Sequence, residues 1–114
     1  MIRTEVQNGI TIIYLIDIAR LNALVSEPIK EQASAFFDKP NMNVVLSLKD
    51  IKFIDSSGFG MLLFLMKKAK NSYGSFKICD VSSEVMELLK LLQLHTIFEI
   101  FPTLHDCMKS FPNS

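Results

Sequence analysis

The sequence predicts an α/β fold: a mixed β-sheet opened by an antiparallel hairpin, extended by parallel crossovers and covered by about four helices. Three observations predict it. Val6-Gln7-Asn8-Gly9-Ile10 places an Asn-Gly pair between two β-prone runs, the strongest short-range signal for a hairpin. The second run, Ile10 to Ile16, is almost continuously apolar, as expected of an interior strand covered on both faces. Beyond it, strand-like and helix-like segments alternate, the pattern of crossover connections, which are right-handed in nearly all cases.

The elements follow in order. Ile2 to Val6 and Ile10 to Asp17 form the hairpin. A polar turn around Arg20 to Asn22 leads to Ser26-Glu27-Pro28, which reads as a helix start with Ser26 at the cap. Ile29, Ala33, Phe36 and Phe37 then share one helical face. Pro40, Asn41 and Asn43 close that helix, and Val44 to Leu48 is a second buried strand. Lys49 to Ile54 carries the chain into Asp55-Ser56-Ser57-Gly58, and Phe59 to Lys70 is a helix whose terminal lysines complement its dipole. Phe76 to Cys79 is a short strand, Ser82-Ser83-Glu84 caps an amphipathic helix over Val85 to Leu92, and Ile97 to Phe101 is the last strand. Pro102-Thr103 begins a terminal helix from Leu104 to Phe111.

Composition narrows the function. A chain of 114 residues is the size of one domain, so residues 1–114 are expected to share one core. Basic and acidic residues balance at twelve each, which provides no field to gather nucleic acid or an anionic membrane surface. The hydrophobic fraction of 49%, with nine Phe and six Met, leaves apolar surface available for an interface. Two cysteines, Cys79 and Cys107, make no disulfide framework and read as reduced packing residues. The start of the chain lacks the pattern of a secretory signal. The longest apolar stretch, Phe59 to Met66, falls far short of the ~20 residues a membrane helix needs. A cytoplasmic protein without membrane insertion is expected.

The turn Asp55-Ser56-Ser57-Gly58-Phe59-Gly60 is where chemistry concentrates. A buried strand running into a helix presents unpaired N–H groups and the positive end of a dipole. Gly58 and Gly60 remove side chains there, so a phosphate or another backbone can approach. The residues alone leave two readings open: a contact site, or a serine cap with glycines that serve packing. In the following helix, Leu62, Leu63 and Met66 are the natural core set. Phe59 and Met61, nearer the serine, are expected to be partly exposed.

Phe53-Ile54-Asp55-Ser56-Ser57-Gly58-Phe59-Gly60-Met61-Leu62-Leu63 resembles the signature of STAS domains, specifically the bacterial anti-sigma factor antagonists. The opening hairpin, Ala19-Arg20-Leu21-Asn22, the strand before the signature, and Val85 to Leu94 before Ile97-Phe98 fall in family order. Such a resemblance implies phosphorylation at Ser56, with Ser57 as second choice, by a partner that is both anti-sigma factor and serine kinase. The unphosphorylated antagonist would bind that partner and release the sigma factor, and a PP2C-type phosphatase would restore it. Asn22, Asp55, Ser56, Ser57, Gly58, Phe59, Gly60 and Met61 become the expected partner-binding residues. The chain would catalyse nothing and hold no cofactor, ATP and Mg belonging to the kinase; a weak homodimer is left open. The same resemblance admits a STAS subunit with another partner, such as a stressosome-like scaffold, a two-component regulator or a transporter-associated module. Two departures stand out. The family's Gly-x-Leu-Asp reads Ala19-Arg20-Leu21-Asn22, and a Gly-Leu pair after the third helix reads Gln93-Leu94, a residue less suited to a left-handed turn.

Other chemistries lack their residues. No Gly-x-Ser-x-Gly elbow surrounds either serine, and no Gly-Lys-Ser/Thr follows the glycines. His95 and His105 read as surface or packing residues, with no zinc-ligand spacing.

Overall fold

The computed structural model describes residues 1–112. Strands β1 (Ile2–Gln7) and β2 (Ile10–Leu15) form the expected antiparallel hairpin. Asn8 and Gly9 both take positive φ, 53° and 78°, as a two-residue turn with right-handed strand twist requires. From β2 the sheet grows in parallel through β4 (Asn43–Ser47), β6 (Ser75–Cys79) and β7 (Glu99–Phe101), in the order β1-β2-β4-β6-β7. The strands β2, β4 and β6 are interior and buried along nearly their whole length because both faces are covered.

Helices α1 (Ala23–Ser34, followed by a 3-10 turn over Ala35–Asp38), α2 (Ser56–Asn71) and α3 (Ser83–Leu91) pack on one face. Ile13, Leu46 and Ile78 from the strands meet Ile29, Leu62, Leu65 and Leu89 there, all fully buried. Phe37 meets Phe76 edge to face with ring centres 6.4 Å apart. The short helix α4 (Leu104–Lys109) covers the other face, where Ile10, Ile12, Val45, Cys79, Cys107 and Phe111 form a second apolar layer. Both thiols are free and buried, as packing residues. Lys77 also lies under α4, its ammonium 4.0 Å from the Phe111 ring centre, 2.9 Å from Ser110 Oγ and 3.3 Å from Glu99. A cation so placed satisfies its charge while its stem packs like an aliphatic chain.

Several bounds differ from expectation: β7 begins at Glu99 rather than Ile97, and α4 ends at Lys109 rather than Phe111. Helix α1 begins at Ala23, capped by Asn22, so Ser26 is interior and not the cap. Pro28 lies in the second turn, where its missing N–H deprives the carbonyl of Leu24, an exposed residue that water can serve. A second small sheet also appears, the parallel pair β3 (Arg20–Leu21) and β5 (Phe53–Ile54), in segments that read as turn and connection.

Helix α3 ends with Gln93 in the left-handed region at φ 57°. Leu94 N–H donates to Leu89 O at 2.8 Å and Gln93 N–H to Lys90 O at 3.0 Å, the paired bonds of a Schellman stop. A side chain there costs roughly 1–2 kcal/mol in backbone strain. Gln93→Gly is therefore expected to raise stability by about 0.5–1 kcal/mol, the relief being partly offset by a looser unfolded chain. Urea unfolding checks this; an unchanged or lower midpoint would show the position is not strained.

Candidate functional site: two helix starts side by side

The small parallel sheet determines the site. Arg20 pairs with Phe53 and Leu21 with Ile54, and Asp55 N–H donates to Leu21 O at 3.1 Å. Each strand therefore ends at the same level and passes at once into a cap and a helix: Asn22 into α1, Asp55 into α2. The Asn22 side chain accepts from Leu24 N–H at 3.1 Å. One Asp55 oxygen accepts from Ser57 N–H at 2.9 Å, from Gly58 N–H at 3.1 Å and from the Ser57 hydroxyl. The cap of α2 is thus the aspartate rather than either serine, and the helix starts three residues before Phe59.

This arrangement separates the two serines. Ser57 is half-buried, with its hydroxyl committed to Asp55. Ser56, the first helical residue, is exposed, and Asp55 takes no hydrogen bond from it. They open on different grooves. Ser56 sits at the rim of an apolar cavity of about 410 Å³ between β5, α2 and α3, lined by Phe53, Phe59, Leu63, Leu91 and Leu92 among others. Ser57 lines a more polar cavity between α1 and α2.

The glycines differ as well. A Cβ on Gly58 would lie 2.6 Å from Leu21 O and 2.6 Å from the Ile54 side chain. Gly58 is buried and lets α2 rest on the β3–β5 ends, so the approaching backbone is the chain's own. A Cβ on Gly60 would meet nothing within 4 Å. Gly60, exposed between the two grooves, is the one that leaves room for another molecule.

The sequence model of the STAS domain family matches residues 1–107. The chain belongs to the STAS domain family. Over 59 residues it is 39% identical to an anti-sigma F factor antagonist of Paenibacillus polymyxa, a match that spans 52% of this chain and half of that protein. An anti-sigma factor antagonist from Mycobacterium paratuberculosis superposes with a TM-score of 0.81 at 19% identity, over 96% of this chain and 92% of the other. Bacillus SpoIIAA is similar in both solved forms. The unphosphorylated form has a TM-score of 0.75 at 17% identity over 99% and 100% of the two chains. The phosphorylated form has a TM-score of 0.69 at 18% identity over 96% and 97%. At such identities these structures establish the shared fold.

Within this STAS domain, Asn22, Asp55, Ser56, Ser57, Gly58, Phe59 and Gly60 gather at one end of the β3–β5 pair, but the expected exposure of Phe59 and Met61 is corrected. Phe59 is 7% and Met61 2% exposed. The stripe of α2 that faces the core runs through Gly58, Met61, Leu62, Leu65 and Ala69, a 3.6-residue repeat. Leu63 and Met66 lie at its edge, packed against the core but only partly buried. The apolar side chains that reach the surface near Ser56 are instead Phe53, Leu91 and Leu92. Leu91 was detectable: it falls off the Val85, Leu88, Leu89, Leu92 face of α3. His95 and His105 are both exposed and apart from the site.

Gly58→Ala should cost about 1–3 kcal/mol, because backbone and core atoms must shift to admit one methyl group. Gly60→Ala should gain up to about 1 kcal/mol from helix propensity. Denaturant unfolding of the pair checks the contrast, and equal effects would contradict it.

The aspartate cap also makes stability depend on pH. The Ser57 hydroxyl, with the Gly58 and Ser57 N–H groups in support, outweighs slight desolvation and holds the Asp55 carboxyl below its usual range. A depressed folded-state value stabilises above the unfolded value of ~3.9 and is lost as pH falls through the folded one. Stability of the native chain should therefore fall more steeply below about pH 4 than that of Asp55→Asn, which keeps a capping oxygen without the charge. Urea melts across that range test this; parallel pH profiles would refute it.

Proposed function

We propose that this STAS domain is an anti-sigma factor antagonist, acting as one domain over residues 1–114 and switched by phosphorylation of Ser56. The observation that carries the reading is the position of Ser56. It is exposed, outside the hydrogen bonds of Asp55, and at the rim of an apolar groove. The names of the Paenibacillus and Mycobacterium relatives, and the two forms in which SpoIIAA has been solved, support it. The half-buried Ser57 would have to give up its bond to Asp55 before reaching a kinase.

The partner in this reading is an anti-sigma factor that is also a serine kinase and brings ATP and Mg itself; a PP2C-type phosphatase resets the switch. The chain is a regulator and not an enzyme. In this reading chain and partner meet in the cytoplasm. Among the described residues no helix is long and apolar enough to cross a membrane.

The physics of the switch is local. A phosphate adds roughly −1.5 to −2 charges, and the exposed start of α2 tolerates or slightly favours them. The fold therefore survives. At a packed interface the same dianion must shed water beside Asp55, a like charge, and an unpaired buried charge costs several kcal/mol. Binding is lost while folding is kept. Incubation with the cognate kinase and ATP should add a single phosphate at Ser56 by peptide mapping. Ser56→Asp should weaken partner binding by at least about tenfold, measured by calorimetry, with its unfolding midpoint close to that of the native chain. Phosphate found only at another residue, or equal affinity of the variant, would overturn the assignment.

A further inference from the structure

The two edges of the main sheet are unequal. In the order β1-β2-β4-β6-β7, the edge at β7 is three residues long, Glu99–Phe101, while β1 runs for six, Ile2–Gln7. A short edge strand deters pairing with another chain; a long one offers a row of backbone N–H and C=O groups as a template. In β1 those groups can be named. Met1 O accepts from Ile16 N–H at 2.8 Å, and bonding alternates along an antiparallel pair whose register runs from Ile2–Leu15 to Gln7–Ile10. Met1, Arg3, Glu5 and Gln7 therefore bond to β2, while Ile2, Thr4 and Val6 turn their N–H and C=O outward.

The side chains of β1 are also unmatched within the chain. Val6 is apolar and 68% exposed. Arg3 and Glu5 lie on one face of the sheet, where the Arg3 guanidinium stands 4.5 Å from the Tyr14 ring centre and the Tyr14 hydroxyl donates to Glu5 at 2.7 Å. Among the described residues neither has an ion-pair partner.

These groups complement themselves in one register. Outward-facing residues must oppose outward-facing ones for ladder bonds to form, so a second β1 can be laid antiparallel only in steps of two residues. With Thr4 opposite Thr4, Ile2 faces Val6, and Arg3 faces Glu5 on either side of the centre. One step away brings Arg3 opposite Arg3, and one step the other way brings Glu5 opposite Glu5. Opposite charges directly across a strand pair support it and like charges destabilise it. The strand thereby selects one alignment and disfavours its neighbours.

We propose that β1 pairs antiparallel with β1 of a second copy about a two-fold axis at Thr4, joining two five-stranded sheets into one. The interface is isologous, so each contact is made twice. Ile2 exchanges backbone bonds with Val6 of the second copy, and Arg3 meets its Glu5 across a non-bonded pair, where side chains approach most closely. A strand this short buries little area, so the dimer is weak and forms at high protein concentration. It uses no residue of the grooves beside Ser56 and Ser57, and stands whether or not the switch operates as above.

Sedimentation velocity of the full chain over rising concentration tests this, with amide shifts followed by NMR. A rise toward the dimer mass is expected, with shifts confined to β1 and its neighbour β2. Thr4→Pro removes an outward N–H without touching the bonds to β2, and should weaken association by at least about tenfold. Charge variants test the register. Glu5→Lys leaves only cations to oppose one another and Arg3→Glu only anions, so each alone should stay monomeric. An equimolar mixture of the two restores opposite charges in every pair and should associate. A monomer at every concentration, association undiminished by Thr4→Pro, shifts centred on Leu91 and Leu92, or a mixture no better than its components would overturn the proposal. Melting curves of each variant separate lost association from lost folding.

Discussion

The parallel contact between two dipeptides, Arg20-Leu21 and Phe53-Ile54, is the constraint on which the functional end of this protein depends. It brings two strand ends to one level, so two caps and two helix starts emerge as neighbours. Gly58 is the condition for that contact. A side chain there would force Leu21 and Ile54 to shift before α2 could sit down on them. Packing of the core and presentation of the serines are thereby the same problem, solved at one residue.

Asp55 connects this geometry to electrostatics. Its single oxygen gathers three donors at the start of α2, which fixes the first turn and divides the adjacent serines into one that is held and one that is free. The neighbouring cap at Asn22 is neutral. A second carboxylate at that position would put two like charges at the paired strand ends, so the amide leaves Asp55 as the sole acid among the two caps. The balance of charge on the whole chain, twelve of each sign, makes such local placement the main source of electrostatic selectivity.

Much of the fold was legible in the sequence because its signals are local. The Asn8-Gly9 turn, the apolar run of β2, and the caps at Ser82 and Thr103 each carry their chemistry in a few consecutive residues. Elements fixed by distant partners were not legible. Strands β3 and β5 are two residues each, too short for any periodicity. They also decide where α1 begins, which is why Ser26-Glu27-Pro28 gave a start one turn late. The facing of α2 was misread for a related reason. Seven apolar residues in eight define no stripe, and the orientation comes from Gly58 seating on β3. The turn itself was found, but the helix was begun at Phe59 rather than Ser56, and the purpose of each glycine required coordinates.

The divergence of Ser56 and Ser57 has an evolutionary consequence. Consecutive helical residues point to different faces, and the two serines do so beside one capping aspartate. Here a helical step of one residue turns the side chains into separate surfaces, with Gly60 between them. Descendants of this chain could lose or remodel one surface by drift while selection preserves the other. A short turn thereby carries two characters that are inherited almost independently.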